Sequence, residues 1–316
     1  MLSRRQFLQL SSTMLSSTML ALSTGKVFAK SSLDYKSITT LPLIKRQIPG
    51  TGELLPVIGM GTSRTFDTNA SPESLAQLVS VIRAFFAGEG MVIDSSPMYG
   101  NAESRVGDVL RNMKSHPKVF AATKVWTRGK EQGIAEMEQS ALRMNVKHFD
   151  LIAVHNLVDW KTQLNTLKEW KKEGKVRYIG ITTSHGRDHN EFLDIMRKEP
   201  IDFIQFSYNI DNLDAEKKIL PLAQDRGIAT MINRPYQRGS LFRRSKGKEL
   251  PSFAKEIDCN SWGQFYLKFI LGHPAVTTII PATSKAHHMV DNMGANFGRV
   301  PDQQQRVEML RIFNRL

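Results

Sequence analysis

The chain has 316 residues, 41% of them hydrophobic, with a formal net charge of +13 and one cysteine. That length and apolar content support one sizeable core and argue against disorder, while the basic residues are scattered among acids with one short cluster at 243–248 (RRSKGK), which reads as a solvated surface. No aromatic stripe is interleaved with the Lys and Arg residues, which argues against a nucleic-acid partner, and Cys259, being alone, cannot form an internal disulfide and reads as a packing residue.

The first 29 residues read as an export signal. Ser3-Arg4-Arg5-Gln6-Phe7-Leu8, a weakly apolar run rich in Ser and Thr, and then Val27-Phe28-Ala29 supply the basic, apolar and small-residue parts of a bacterial secretory signal. The paired arginines followed by Phe and Leu resemble the twin-arginine type. The run 8–22 is too short and too hydroxylated to span a bilayer comfortably, so cleavage after Ala29 is expected, with no stable membrane insertion afterwards. The expected location is the periplasm. Residues 30–43 read as a linker and 44–316 as one domain.

Between Ile44 and Met60, two short apolar stretches flank Pro49-Gly50-Thr51-Gly52, which predicts a β-hairpin. Beyond it, eight short runs are apolar on both faces: 57–62, 91–96, 119–125, 149–156, 176–183, 201–209, 228–235 and 276–283. Helix-period segments separate them. The first opens on Ser71-Pro72-Glu73, a cap residue followed by a first-turn proline and a first-turn acid, and ends near Gly88. Others span Ile134–Met144, Trp160–Glu173, His189–Lys198, Asp214–Arg226 and Ser261–Leu271, several closing on glycine, and a final amphipathic helix follows Pro301. Strands buried on both faces and separated by helices predict a parallel sheet, and eight repeats close most naturally into a (β/α)8 TIM barrel. An open doubly wound sheet is the alternative, but Gly59-Met60-Gly61-Thr62-Ser63-Arg64 lacks the G-x-G-x-x-G loop such a sheet carries after its first strand.

In such a barrel the active site lies at the carboxyl ends of the strands. The polar residues ending the runs are Asp94, Lys124, His155, Thr182 with Thr183, Gln205, Asn233 with Arg234, and Thr283 to Lys285; Tyr99 lies in the loop after the second. A tyrosine alone titrates near ~10 and is a reluctant acid or base at neutral pH. A lysine ammonium within about 4 Å would lower that pKa, and a carboxylate beside the lysine would hold it charged. Asp94, Lys124 and Tyr99 supply these parts, and His155 can donate a hydrogen bond to a carbonyl oxygen or pass on a proton. The set suits proton transfer to an oxygen gaining negative charge, as when a carbonyl accepts hydride. Singly, the four read as a turn acid, a rim aromatic, a surface lysine and a packed histidine; gathered at the ends of three predicted strands they point jointly to catalysis. No metal site is expected: His155 has no second ligand at the required spacing, and His287 and His288, adjacent on a helix, should point apart.

Asp94 in I-D-S-S-P-M-Tyr99-G-N-A-E-S-x-V-G, Lys124 in A-T-K-V and His155 in D-L-I-x-V-H resemble the tetrad of the aldo-keto reductase superfamily, in order and in strand position. The resemblance runs from about Ile44 to Asn296. It implies a (β/α)8 barrel that reduces a small-molecule aldehyde or ketone with NADPH, NADH being the alternative cofactor. Tyr99 is then the proton donor, Lys124 and Asp94 its tuning pair, and His155 the residue that orients the carbonyl. Cofactor contacts are implied for Gly61, Thr62, Thr182, Thr183, Gln205, Asn233, Arg234, Thr283, Ser284, Lys285, His288 and Asn292.

The nicotinamide end departs from the family pattern. Thr182-Thr183 stand where Ser-Asn holds the carboxamide, Asn233-Arg234-Pro235 where a tyrosine stacks on the ring, and His288 where an arginine often grips the 2′-phosphate. Met98, Trp126, Asn156 and Tyr236 are read as pocket walls or rim packing. Export adds two expectations: a cofactor inserted before translocation and, for turnover, either cofactor exchange or a periplasmic redox partner that re-reduces it in place. The competing reading is an exported nicotinamide-binding or partner-regulating barrel with little turnover.

Overall fold

The computed structural model describes residues 40–316 apart from 185, 187 and 188, so the expected export signal and most of the linker lie outside the described residues. Strands β1 (Lys45–Gln47) and β2 (Leu54–Pro56) pair antiparallel, with Arg46 opposite Leu55, and form the expected hairpin. Eight parallel strands follow, hydrogen-bonded in chain order. They are β3 (Met60–Gly61), β4 (Val92–Asp94), β5 (Phe120–Val125), β6 (Phe149–Val154), β7 (Val176–Thr182), β8 (Phe203–Ser207), β9 (Ala229–Asn233) and β10 (Thr278–Ile279).

First and last strands close the ring. Gly59 N–H donates to Ile279 O (2.8 Å), Ile279 N–H to Val57 O (2.9 Å) and Gly61 N–H to Pro281 O (3.1 Å). Gly61 belongs to this seam, because a Cβ there would lie 2.9 Å from the Ile280 carbonyl oxygen. The TIM barrel expected from the sequence is therefore the fold.

Side chains alternate across a strand with period two, and each strand here is buried on both faces. One set, including Val92, Phe120, Ala122, Leu151, Tyr178, Phe203 and Met231, packs inside the barrel with Ile48 and Leu55 of the hairpin. The alternate set, including Ile93, Ala121, Val125, Ile152, Ile181 and Ile204, packs outward against the helices. Near the amino ends the Phe120, Tyr178 and Phe203 rings lie 5.6–6.0 Å apart. Fully burying an aromatic ring of this kind contributes roughly 2–3 kcal/mol. Tyr178 finishes the layer by donating its hydroxyl to Glu53 Oε2 (2.7 Å) on the hairpin, so the hairpin stops the amino end of the barrel.

Local signals explain most of the helices. Ser71 accepts from Ser74 N–H (3.2 Å) and Pro72 opens Pro72–Ala87; Ser261 accepts from Gln264 N–H (3.0 Å) and starts Trp262–Leu271. Two expectations are corrected. The segment read as one helix over Asp214–Arg226 is two, Asp214–Lys217 and Ile219–Asp225, broken at Lys218 (φ −143°). Pro221 has no N–H, and in a continuous helix its ring would collide with the carbonyl four residues back, at Lys217. The helix expected from Ile134 begins at Lys130, because Gly129 N–H is held by Asp159 Oδ2 (2.8 Å) from another connection. Among the described residues no helix is long and apolar enough to cross a membrane.

Candidate active site

Period two carries the inner face of each strand from apolar to polar toward its carboxyl end. Val92 is followed on that face by Asp94, Phe120 and Ala122 by Lys124, Leu151 and Ala153 by His155, and Phe203 by Gln205. The same alternation that builds the core therefore delivers these polar side chains to one mouth.

Lys124 is fully inaccessible and Asp94 is 2% exposed. Lys124 Nζ donates to Asp94 Oδ1 (2.8 Å), Asp94 Oδ2 (2.7 Å) and the Ser95 carbonyl (2.7 Å). It also stands 5.1 Å from the centre of the Tyr99 ring. Gln205 Nε2 donates to the same Asp94 Oδ1 (3.0 Å) and contacts Met231 Sδ (3.0 Å), so this residue is engaged with the acid beneath the mouth.

Burial pushes the Asp94 carboxyl above the usual range, and Lys124 pulls it back only in part. Burial would lower Lys124, but Asp94 and Tyr99 together favour its ammonium and raise it. Tyr99 corrects an expectation: burial raises the phenol, Lys124 lowers it by less, and Asp94 adds to the rise. The phenolate gains too little from a lysine whose charge Asp94 already holds. Tyr99 is thus a protonated phenol, which is the state a proton donor needs.

His155 sits just past β6, with its ring edge-on to Tyr99 (centroids 5.7 Å, 88°) and 6.4 Å from Trp126. Its Nδ1 lies 2.9 Å from Ser96 Oγ, and Ser96 also accepts from Met98 N–H (3.2 Å). Neither Ser95 nor Ser96 was singled out from the sequence; the signal was the Ser-Ser pair between Asp94 and Tyr99. Asn156 is left-handed (φ 51°) with Oδ1 buried and unpaired, an acceptor that a bound molecule's N–H or O–H could satisfy. Met98 and Trp126 are exposed at the rim. Tyr236 instead donates its hydroxyl to Asn292 Oδ1 (2.7 Å) and packs.

The residues assigned to a cofactor fall into three groups. Gly61 belongs to the closing seam; beside it, Thr62 Oγ1 donates to Asp94 O (3.0 Å) and lies 2.9 Å from Ser95 Oγ. At β7 to β9, Thr182 and Thr183 are buried, and Asn233 bridges Thr183 O (3.1 Å) and Ser207 Oγ (2.7 Å). Arg234 is left-handed (φ 52°), its carbonyl accepting from Asn209 (3.1 Å).

The third group surrounds the start of the helix Ala286–Gly294. Thr283 Oγ1 accepts from Lys285 N–H (3.1 Å), and Lys285 and His288 are exposed there. Burial, then His287 and Lys285, lower the His288 imidazole, so Lys285 carries the charge at this point. Asn292 is buried and tied to Tyr236. First-turn N–H groups without a side-chain cap, a hydroxyl and an ammonium fit a phosphate. The His287 and His288 rings, expected to point apart, approach to 4.3 Å.

Fold and geometry together define a parallel eight-stranded barrel with an acid, a lysine, a phenol and an imidazole gathered at its open end. Residues 57–311 match the Aldo/keto reductase family, and the chain belongs to that family. It is 27% identical over 209 residues to the aldo-keto reductase YhdN of Bacillus subtilis, spanning 61% of this chain and 62% of that one. To the methylglyoxal reductase YeaE of Escherichia coli it is 25% identical over 244 residues, 74% of this chain and 83% of that one. An uncharacterised oxidoreductase of Schizosaccharomyces pombe is 30% identical over 163 residues, and there the match spans about half of each chain. Among solved structures, an aldo/keto reductase from Klebsiella pneumoniae in complex with NADP and acetate superposes with a TM-score of 0.69 at 22% identity, over 84% of this chain and 94% of that one.

Proposed function

We propose that the protein reduces a small aldehyde or ketone with NADPH. When bound, NADPH supplies the hydride. Tyr99 donates the proton to the oxygen, Lys124 holds the phenol's environment positive, Asp94 keeps Lys124 charged and in place, and His155 hydrogen-bonds the carbonyl. The observation that carries this reading is the Lys124 ammonium wedged between the Asp94 carboxylate and the Tyr99 ring at the carboxyl ends of the strands. NADPH is favoured over NADH by Lys285 and the helix start beside it. The E. coli relative is named for methylglyoxal, which makes that the first substrate to assay.

Tyr99→Phe tests the assignment. Carbonyl-dependent NADPH consumption should fall by about 10²–10⁴-fold, with NADPH affinity little changed. Undiminished turnover would remove Tyr99 as the donor, and with it the site.

Residues 1–29 support a second part of the proposal: export to the periplasm through the twin-arginine route. That route carries folded proteins, so NADPH is inserted in the cytoplasm and travels inside the barrel, and a periplasmic redox partner renews it there. Protein recovered after export should retain about one nicotinamide per chain through gel filtration. Exported protein that is empty and binds neither NADPH nor NADH would refute pre-loading.

A further inference from the structure

Ser96 is fully buried, and among the described residues its hydroxyl meets two groups: Met98 N–H, which donates to it (3.2 Å), and His155 Nδ1 (2.9 Å). A serine hydroxyl has one proton to give and two lone pairs to accept with. The backbone amide takes one lone pair. Two arrangements remain for the ring. If Nδ1 bore the proton, the hydroxyl would accept from both neighbours, and its own proton would face no acceptor in a place shut off from water. Buried donors without partners are rare, because their hydration is lost and nothing replaces it. If the hydroxyl donates to Nδ1, every polar atom of the contact is satisfied.

We infer that Ser96 is a positioning residue that fixes neutral His155 in the tautomer bearing its proton on Nε2. The inference rests on the reading of His155 as the group that orients the carbonyl, and it narrows that role. The sequence left two roles open for this imidazole: hydrogen-bond donor or proton carrier. With Nδ1 committed as an acceptor, the ring presents an N–H from its other end. It orients and polarises the carbonyl, and leaves the proton transfer to Tyr99. Tyr99 edge-on and Trp126 alongside oppose a half-turn of the ring that would exchange the two nitrogens.

Ser96 also reaches the proton donor. Its backbone carbonyl accepts from Tyr99 N–H (3.0 Å). One residue thus ties the imidazole to the loop that carries the phenol. Replacing Ser96 by alanine keeps that backbone tether and removes only the hydroxyl, which separates the two contributions.

The tautomer is read directly by ¹H–¹⁵N correlation on the free protein with ¹⁵N-labelled histidine, the His155 signal being assigned by its loss in His155→Gln. The wild type should show a protonated Nε2 and a bare, hydrogen-bonded Nδ1. Ser96→Ala should lose that preference, and kcat for carbonyl reduction should fall about tenfold or more with KM little changed. Ser96→Thr, which keeps the hydroxyl, should restore both. A wild-type spectrum with the proton on Nδ1, or an Ser96→Ala protein whose tautomer and kcat are unchanged, overturns the inference. Should Ser96→Ala fail to fold, the wild-type spectrum decides alone. Because that spectrum needs neither substrate nor cofactor, its outcome stands apart from any failure of carbonyl reduction.

Discussion

Lys124 and Asp94 meet through two contacts, Nζ to Oδ1 at 2.8 Å and Nζ to Oδ2 at 2.7 Å, with both side chains almost wholly out of reach of water. A pair buried this deeply does not stabilise the fold much in itself, since desolvation offsets most of the attraction. Its value lies in holding a cation under Tyr99 in a place where an unaccompanied lysine would lose its proton.

Breaking the pair from one side should therefore be costly. Lys124→Met leaves Asp94 buried without its cation, and stability should drop by about 3–5 kcal/mol, lessened as far as Asp94 takes up a proton. Adding Asp94→Asn should recover most of that loss, yet carbonyl reduction should stay absent in both variants. Urea unfolding midpoints beside NADPH consumption measure the two effects; a single variant as stable as the wild type would contradict the buried ion pair.

The direction of the Tyr99 shift sets the alkaline limb. Burial holds the phenol above its ordinary value of 10.0, so the donor is intact below pH 10 and is lost only as pH rises through the higher folded value. Lys124, also raised, stays an ammonium across the same window. Reduction should hold its kcat through pH 10, while oxidation of the corresponding alcohol, which needs the phenolate, should climb with pH. On the acid side, Asp94 lies above 3.8, so kcat/KM should begin to fall before the ordinary carboxylate range is reached. A reductive rate that halves well below pH 10 would show that Lys124 outweighs burial after all.

Cofactor choice should depend on Lys285. With His288 kept neutral near pH 7, the charge facing a 2′-phosphate comes from this ammonium. A charge-assisted hydrogen bond contributes about 1.5–3 kcal/mol, so Lys285→Ala should weaken NADPH binding about ten- to a hundredfold and leave NADH unaffected. Titration of intrinsic fluorescence, for which the chain has four tryptophans, gives both constants. Equal losses for the two cofactors would move the 2′-phosphate away from Lys285.

The barrel was legible because a strand buried on both faces leaves a continuous apolar run, and Asp94, Lys124 and His155 each terminate one. The helix signals at Ser71 and Ser261 are local, and they were readable for the same reason. What escaped the sequence depends on contacts between distant strands. Gln205 turning its amide to Asp94 joins positions 111 residues apart. Ser96 meeting His155 spans 59. The sign of the Tyr99 shift is a balance between burial and two opposite charges, and only the folded arrangement sets their relative weight. Pro221, by contrast, is a local break signal carried inside an otherwise helical pattern.

The hairpin makes the barrel a cup rather than a tube. Ile48 and Leu55 close its floor, and Glu53 latches that floor to Tyr178. Among the described residues the hairpin blocks this end, so on the carbonyl-reduction proposal substrate and product would pass at the other end, where Met98 and Trp126 are exposed. If Tyr99 is the donor proposed above, its proton would have to be replenished at that same end, since the opposite end is filled by the packed Phe120, Tyr178 and Phe203 rings. On that proposal, re-protonation of Tyr99 between turnovers would wait until product has cleared the open end.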